Sequence, residues 1–405
     1  MLNNSLVPPL SIGDLTELKI TDLAFGGRGI ARAQNLVVFV PGVIPAETVR
    51  VRITSLKKKY AEGELLEILV PSPDRETPPC PYYGRCGGCQ YQHLAYLREL
   101  SIKQHQLEEL FQRLGNIKKS VIKKIVEAPS HYQYRIRGQF KIGKDSNGNK
   151  TAGFFTEDNQ TIQDIDRCLL MHESINDQWS HEREQQPEAD ANPNDVELLP
   201  LWENSAQVKN LPPDLIDIKI RNKVLSVPTR GFFQINLPMA ENLLEIVEEE
   251  CRELTGGTLV DCYCGCGFFS IFLAEKFKRV LGIEISKESV RCAVKNAKRA
   301  ELSNCQFLNG KAEYRLEKIT LSAHEEVACL LLDPPRSGCS KEVLQAVHSL
   351  NPMKIIYISC NPATQARDLK QLLQNSYHLT SLKPLDMFPR TKHIEVVASL
   401  VRKEP

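Results

Sequence analysis

The chain has 405 residues, 42% hydrophobic and 25% charged, the make-up of a soluble globular protein with room for two or three domains. A net charge of +1 excludes a bulk electrostatic case for or against nucleic acid, so local clusters must carry it. No apolar run reaches the length of a membrane span and the polar N-terminus lacks a secretory signal, so a cytoplasmic protein with no membrane partner is expected.

The first element in chain order is a small all-β module at about 10 to 68. Leu18–Ile20 and Val37–Val40 are β-rich runs, and Gly26-Gly27 and Pro41-Gly42 are turn signals between them. Val49 to Ile53 alternates with period two, giving a basic face (Arg50, Arg52) and an apolar one. Lys57-Lys58-Lys59-Tyr60 follows. A compact barrel with a basic stripe and an aromatic suits RNA or single-strand binding, although a lysine turn is as often plain solvated surface.

A proline-rich linker, 71–79, leads to Cys80, Cys86 and Cys89, spaced five and two apart with glycines between. Thirteen cysteines is a high and odd number for a long chain, so metal ligation and thiol chemistry explain it better than a disulfide framework. Three thiols are one short of the four that an iron–sulfur cluster or a structural zinc takes, and Cys168 is the nearest candidate for the fourth. Zinc fingers bring ligands as two pairs, and the second pair is missing here, so the spacing favours iron–sulfur.

A helix is expected over 94–114, with Leu97, Leu107, Leu110, Phe111 and Leu114 on one stripe and Gly115 as its stop. Lys118, Lys119, Lys123 and Lys124, then Arg135 and Arg137 on one strand face beside Tyr132 and Tyr134, suggest an RNA face. Residues 181–200 are acidic and poor in large apolar side chains, and read as a mobile loop without chemistry. Asp217 to Val227 alternates as a strand, and a helix follows at about 239–254.

From Leu259 strands and helices alternate: strand candidates are 259–263, 279–284, 305–308, 327–333, 354–360, 378–385 and 394–401. Such alternation implies a doubly wound parallel sheet with covered faces. Asp261-Cys262-Tyr263-Cys264-Gly265-Cys266-Gly267 follows the first of these strands, and Glu284 ends the second. Glycines there let the backbone approach a ligand, and an acid at that place accepts from ribose hydroxyls. Ser270 stands where a dinucleotide site would have its third glycine, and Asp261, Glu284 and Asp333 suit a cationic sulfonium better than a pyrophosphate. Both points favour S-adenosylmethionine. Cys262, Cys264 and Cys266 are expected to pack as small residues.

Cys360 ends a predicted strand, closed by Asn361-Pro362. A lone cysteine there is usually simple packing. Its company changes that: Asp333-Pro334-Pro335-Arg336 ends another strand, and Glu395 stands in the final one. A thiolate is an effective covalent nucleophile, and a nearby carboxylate can act as base. Two rivals keep part of the pattern. A dinucleotide-dependent oxidoreductase leaves Cys360 and Glu395 idle, and a non-catalytic RNA-binding protein tolerates loss of Cys360.

Taken together, Cys80-x5-Cys86-x2-Cys89 with Cys168, Phe233-Gln234-x-Asn236, Asp333-Pro334-Pro335-Arg336, Ser359-Cys360-Asn361-Pro362 and Asp386-Met387-Phe388-Pro389-x-Thr391-x-His393-x-Glu395 resemble the RNA 5-methyluridine methyltransferases. The closest branch is the cluster-containing 23S rRNA (uracil-5-)-methyltransferases, and the N-terminal module resembles the family's TRAM domain. The resemblance implies three domains: a TRAM-like β-barrel at 8–68, a central iron–sulfur α+β domain at 75–230, and a Rossmann-like α/β methyltransferase domain with a seven-stranded sheet at 231–405. It implies that Cys80, Cys86, Cys89 and Cys168 hold a [4Fe-4S] cluster, and that Gln234, Tyr263, Glu284 and Asp333 contact S-adenosylmethionine. Cys360 would be the nucleophile and Glu395 the base. The implied partner is RNA, ribosomal RNA before the tRNA T-loop, with no obligate protein partner. Phe268 departs from the family, where a polar residue is common.

Overall fold

The computed structural model describes residues 10–145, 147–185, 194–199, 214–319 and 325–403. They form two compact units: the described residues of 1–106, 141–165 and 390–392, and those of 107–140, 166–389 and 393–405. The expected central segment 75–230 is thus shared between both.

In the first unit, β1 (Leu15–Lys19), β2 (Asp22–Leu23), β3 (Gly29–Ala33), β4 (Leu36–Val40), β5 (Thr48–Leu56) and β6 (Tyr60–Val70) join in the order β1-β5-β6-β4-β3-β2. The period-two pattern holds: Val49, Val51 and Ile53 are fully buried in one apolar cluster with Val38 and Ala61, while Arg50 and Arg52 point outward. A side chain at Gly29 would put a Cβ 2.1 Å from Val43 Cγ2, so only glycine lets β3 lie this close. The basic stripe differs from expectation. Arg50 pairs with Glu67 (2.7 Å) and Glu17 (3.2 Å), and Arg52 with Glu64 (3.4 Å). Acids on the strands to either side therefore offset much of its charge.

The helix α1 (Tyr96–Gly115) forms where its periodicity predicts, but its stripe is narrower. Leu107, Leu110 and Phe111 are buried, whereas Leu97 and Leu114 are exposed. Strand β7 (Gly138–Lys144) follows; its Lys141–Lys144 pair with β8 (Lys150–Phe155), which pairs with β9 (Ile162–Asp164). The acidic stretch expected as a loop carries regular structure where it is described. Its start belongs to α2 (Glu173–Gln185), and β10 (Asn194–Leu198) lies near its end; 186–193 and 200 fall outside the described residues. The segment expected as one strand is a hairpin, β11 (Leu215–Ile220) and β12 (Lys223–Pro228), turned at Arg221 with φ 50°.

After α3 (Leu237–Glu250) come β13 (Thr258–Cys262), α4 (Phe268–Leu273), β14 (Arg279–Glu284), α5 (Lys287–Arg299), β15 (Cys305–Asn309) and α6 (Ala312–Leu316). The chain continues through β16 (Val327–Leu332), α7 (Lys341–Leu350), β17 (Lys354–Ser359), α8 (Pro362–Asn375), β18 (Tyr377–Leu385) and β19 (Glu395–Arg402). Seven strands form one sheet in the order β15-β14-β13-β16-β17-β19-β18. The wholly parallel sheet expected from the alternation needs one correction: β19 runs antiparallel to both neighbours. No crossover helix separates β18 from β19, so the chain is free to reverse. β16, all Val, Ala, Cys and Leu, is buried along its whole length, as a central strand covered on both faces must be.

Candidate active site

The strands β13, β14, β16 and β17 end at one edge, where open α/β sheets gather ligands. After β13 the chain passes through Tyr263, Gly265 and Gly267, all with positive φ, before α4 begins. Glycine takes such angles without steric cost; Tyr263 (φ 69°) is held in one, which aims its ring. The Gly265 N–H donates to Glu284 Oε2 at 3.0 Å, and the Ser286 N–H to Oε1 at 2.7 Å. Each oxygen keeps capacity for a further donor.

Asp261 does not face the ligand as its place in the motif suggested. It is fully buried, and its Oδ2 accepts the Ser270 N–H at 3.0 Å and the Ser270 hydroxyl at 2.6 Å. The serine at the third-glycine position therefore pins α4 to β13. Burial, opposed by the Ser270 bonds, pushes the Asp261 carboxyl up to about 6. Cys262, Cys264 and Cys266 are buried and their thiols are raised by that burial, as packing residues should be.

Asp333 follows β16, its N–H donating to the Cys262 carbonyl at 3.3 Å. Burial, then the Asp261 carboxylate, pushes Asp333 up to about 7. Gln234 is buried two residues before Asn236, which caps α3 by accepting the Met239 N–H at 3.4 Å and donates to the Met387 carbonyl at 3.0 Å.

The antiparallel course of β19 decides where Glu395 goes. Ser359 pairs with Val396, so Cys360, one residue on, stands opposite Glu395, one residue back. In a parallel strand the first residue would lie at the far edge of the sheet. Glu395 is buried, and burial together with Asp333 holds its carboxyl well above the usual range. The half-buried Cys360 thiol is raised by burial and by Glu395, with Arg336 acting the other way. Asn361 stops β17 and caps α8, accepting the Ala363 N–H at 3.2 Å.

Gln234, Tyr263, Glu284, Asp333, Cys360 and Glu395 all line one cavity of about 800 Å³, a size usual for small-molecule sites. Reading the residues alone missed Phe232, 73% exposed on the same cavity, and Lys311. The Phe232-Phe233 doublet gave a signal only in hindsight: one ring is in the core and its neighbour points out. Phe268, the departure, packs edge-on against Phe233 and Phe272.

None of the thirteen cysteines forms a disulfide. Cys80, Cys86 and Cys89 lie half-buried on a tight loop of the first unit, where the Cys86 N–H donates to the Tyr82 carbonyl at 2.9 Å and the Gly88 N–H points at Cys86 Sγ, 3.4 Å away. Cys168 belongs to the second unit, its N–H and carbonyl both held by the Asn176 amide (2.9 and 3.1 Å).

The expected basic face needs a correction. Arg137 is turned inward, donating to the carbonyls of Thr229 (2.8 Å), Pro228 (3.2 Å) and Gly231 and pairing with Glu197. Tyr134 is buried, its hydroxyl donating to the Pro389 carbonyl at 3.0 Å. Arg137 thus holds the 228–231 segment, whose Gly231 lines the cavity, and stacking on a base is not open to the buried Tyr134.

Residues 154–403 match the model of the tRNA (uracil-5-)-methyltransferase family, and residues 9–66 that of the TRAM domain. The chain belongs to the tRNA (uracil-5-)-methyltransferase family. As a member of that family it is an RNA (uracil-5-)-methyltransferase, and RNA is its substrate. It is 30% identical to an uncharacterized RNA methyltransferase of Halalkalibacterium halodurans, over 98% of both chains, and 32% identical to one of Gloeobacter violaceus, over 96% of this chain and 97% of that one. Its fold is that of Pyrococcus abyssi tRNA (uracil-54, C5)-methyltransferase, solved in complex with S-adenosyl-L-homocysteine: TM-score 0.70 at 22% identity, over 95% of this chain and 100% of that one.

Proposed function

We propose that this methyltransferase carries a methyl group from S-adenosylmethionine to C5 of a uridine in RNA through a covalent bond between Cys360 and C6. The observation that carries the reading is the pair Cys360 and Glu395, opposite each other on adjacent strands and facing a cavity that Gln234, Tyr263, Glu284 and Asp333 also line. Uracil C5 is a poor nucleophile. Attack of the Cys360 thiolate on C6 sends an electron pair toward C5 and O4, and C5 then forms its bond to the methyl carbon. The donor's S–CH3 bond breaks, its electron pair stays on the sulfur, and the donor leaves as neutral S-adenosylhomocysteine. Glu395 removes the remaining C5 proton, and the C6–S bond breaks to restore the thiolate. Its raised pKa makes Glu395 a stronger base than an ordinary carboxylate. The Glu284 oxygens, tied to the turn at Gly265, suit the donor's ribose hydroxyls, and Asp333 suits its positive charge. The target base must leave its stack, which costs a few kcal/mol and least in a loop.

Cys80, Cys86, Cys89 and Cys168 would hold a [4Fe-4S] cluster. What supports this is the chemistry of the loop: three thiols outside any disulfide on one glycine-bearing turn, with a main-chain N–H aimed at a sulfur. No step of the transfer needs an electron, so the cluster would serve as a covalent brace for the loop. By analogy with the cluster-containing branch that these cysteines resemble, ribosomal RNA is the substrate favoured here, whereas the family's description names tRNA.

The test replaces Cys360 by alanine and follows both methyl transfer and covalent capture of labelled RNA. Both should be lost, and a variant that turns over normally rules the mechanism out. Mapping 5-methyluridine in ribosomal RNA and in tRNA from cells lacking the gene separates the substrates.

A further inference from the structure

The proposed mechanism asks for a thiolate, yet three features of the site oppose one. Cys360 is half-buried, Glu395 stands opposite it, and Asp333 lines the same cavity. Burial and negative neighbours both favour the neutral thiol. Something must act against them.

The charged groups that face the sulfur come from two directions. Glu395 comes from β19, and Asp333 and Arg336 from the segment after β16; His393 faces the guanidinium, Nδ1 to Nη2 at 3.5 Å. Arg336 is the cation among them, and it lines the same cavity as Cys360. It is also held from behind. Its main-chain carbonyl accepts the Asn361 amide at 2.9 Å and the Thr364 hydroxyl at 3.2 Å. Asn361 is the residue directly after the nucleophile and the cap of α8, so Cys360 and Arg336 are registered to each other through one side chain.

We propose that Arg336 is the positioning residue that turns Cys360 into a nucleophile, with Asn361 and Thr364 holding its main chain beside the segment that carries Cys360. The proposal rests on the covalent reading above and names the cation that reading needs. The Sγ proton leaves to solvent, and the guanidinium donates to the thiolate. Lysine would keep the charge but lose the planar fork, so it should substitute in part.

The test needs no RNA. Purified protein is alkylated with iodoacetamide across pH 6 to 10, and mass spectrometry of the Cys360 peptide gives the rate. The thiolate attacks the methylene carbon and iodide leaves, so the rate reports the thiolate fraction. Arg336→Gln should move the midpoint upward and slow alkylation at pH 8 about tenfold. Arg336→Lys should recover part of that, and Asn361→Ala should shift the profile the same way by less. An unchanged midpoint in Arg336→Gln overturns the proposal. A raised KM for RNA with an unmoved alkylation profile would assign Arg336 to a substrate phosphate and also overturns it. If Arg336→Gln melts early, Arg336→Lys decides: a profile like that of wild type in rate but shifted in midpoint supports the role, and no shift in either sinks it. Failure of the methylation reading would show separately, as turnover by Cys360→Ala.

Discussion

Cys360 and Glu395 face each other across two strands that run in opposite directions, although 35 positions separate them in the chain. A proposed nucleophile and base set by sheet register have little freedom to drift apart. Glu395→Gln should therefore leave the first half of the reaction intact and block the second. Turnover should fall about 10²- to 10⁴-fold, the usual worth of general base catalysis, while a protein–RNA adduct accumulates. Denaturing gels with labelled RNA read this out; loss of turnover with no adduct band would remove Glu395 from the base role.

Donor affinity should depend on pH. Asp333 is pushed up to about 7 by burial and by Asp261. A cationic ligand binds the carboxylate, so it releases the proton, and affinity drops as pH falls through that value. Between pH 8 and pH 6 the loss should be about tenfold for S-adenosylmethionine. S-adenosylhomocysteine, without the sulfonium charge, should change less. Calorimetry at the two pH values checks both.

Glu284 joins the turn at Gly265 to the end of β14. Glu284→Ala should weaken donor binding by about 10- to 100-fold, since it leaves the Gly265 and Ser286 N–H groups without their acceptor and removes the proposed ribose partner. Thermal stability should change far less than affinity. Equal losses in both would mark Glu284 as a fold residue.

Arg137 offers a check on the corrected basic face. Its guanidinium serves three carbonyls at 228–231, next to the cavity-lining Phe232. Arg137→Ala should cost roughly 2–3 kcal/mol of stability, as expected for losing bonds to a charged donor. The salt dependence of RNA binding should stay as it was. A weaker salt slope with unchanged melting would return Arg137 to the RNA surface.

Cys86→Ser should lower iron content and remove the brown colour of anaerobically purified protein, with a fall in melting temperature. Methyl transfer should persist at temperatures where the variant stays folded. Colourless wild-type protein that is fully stable and active would argue against the cluster.

Much of this was legible in the residues because the relevant signals are local. Apolar runs and the loops between them located the strands of the α/β sheet to within a residue or two, since central strands must be apolar on both faces. Cys360 and Asp333 could be placed because strand ends at that edge gather chemistry. What escaped depends on contacts between distant positions. Nothing local tells β19 to run backward, and nothing near Arg50 announces Glu67 and Glu17 on neighbouring strands. Asp261 looked like a ligand group because its motif is one; only the Ser270 hydroxyl turns it into an anchor. Arg137 looked like surface because arginines on strands usually are.

The sheet order β17-β19-β18 carries a consequence for how this part of the chain assembles. β18 precedes β19 in the chain yet lies outside it, bridged along its far side by Ile122 and Val126, so the last strand is inserted between two others rather than added at a rim. A strand held on both sides cannot slide by one residue without breaking two ladders, and the carboxylate that faces Cys360 is fixed by that double constraint.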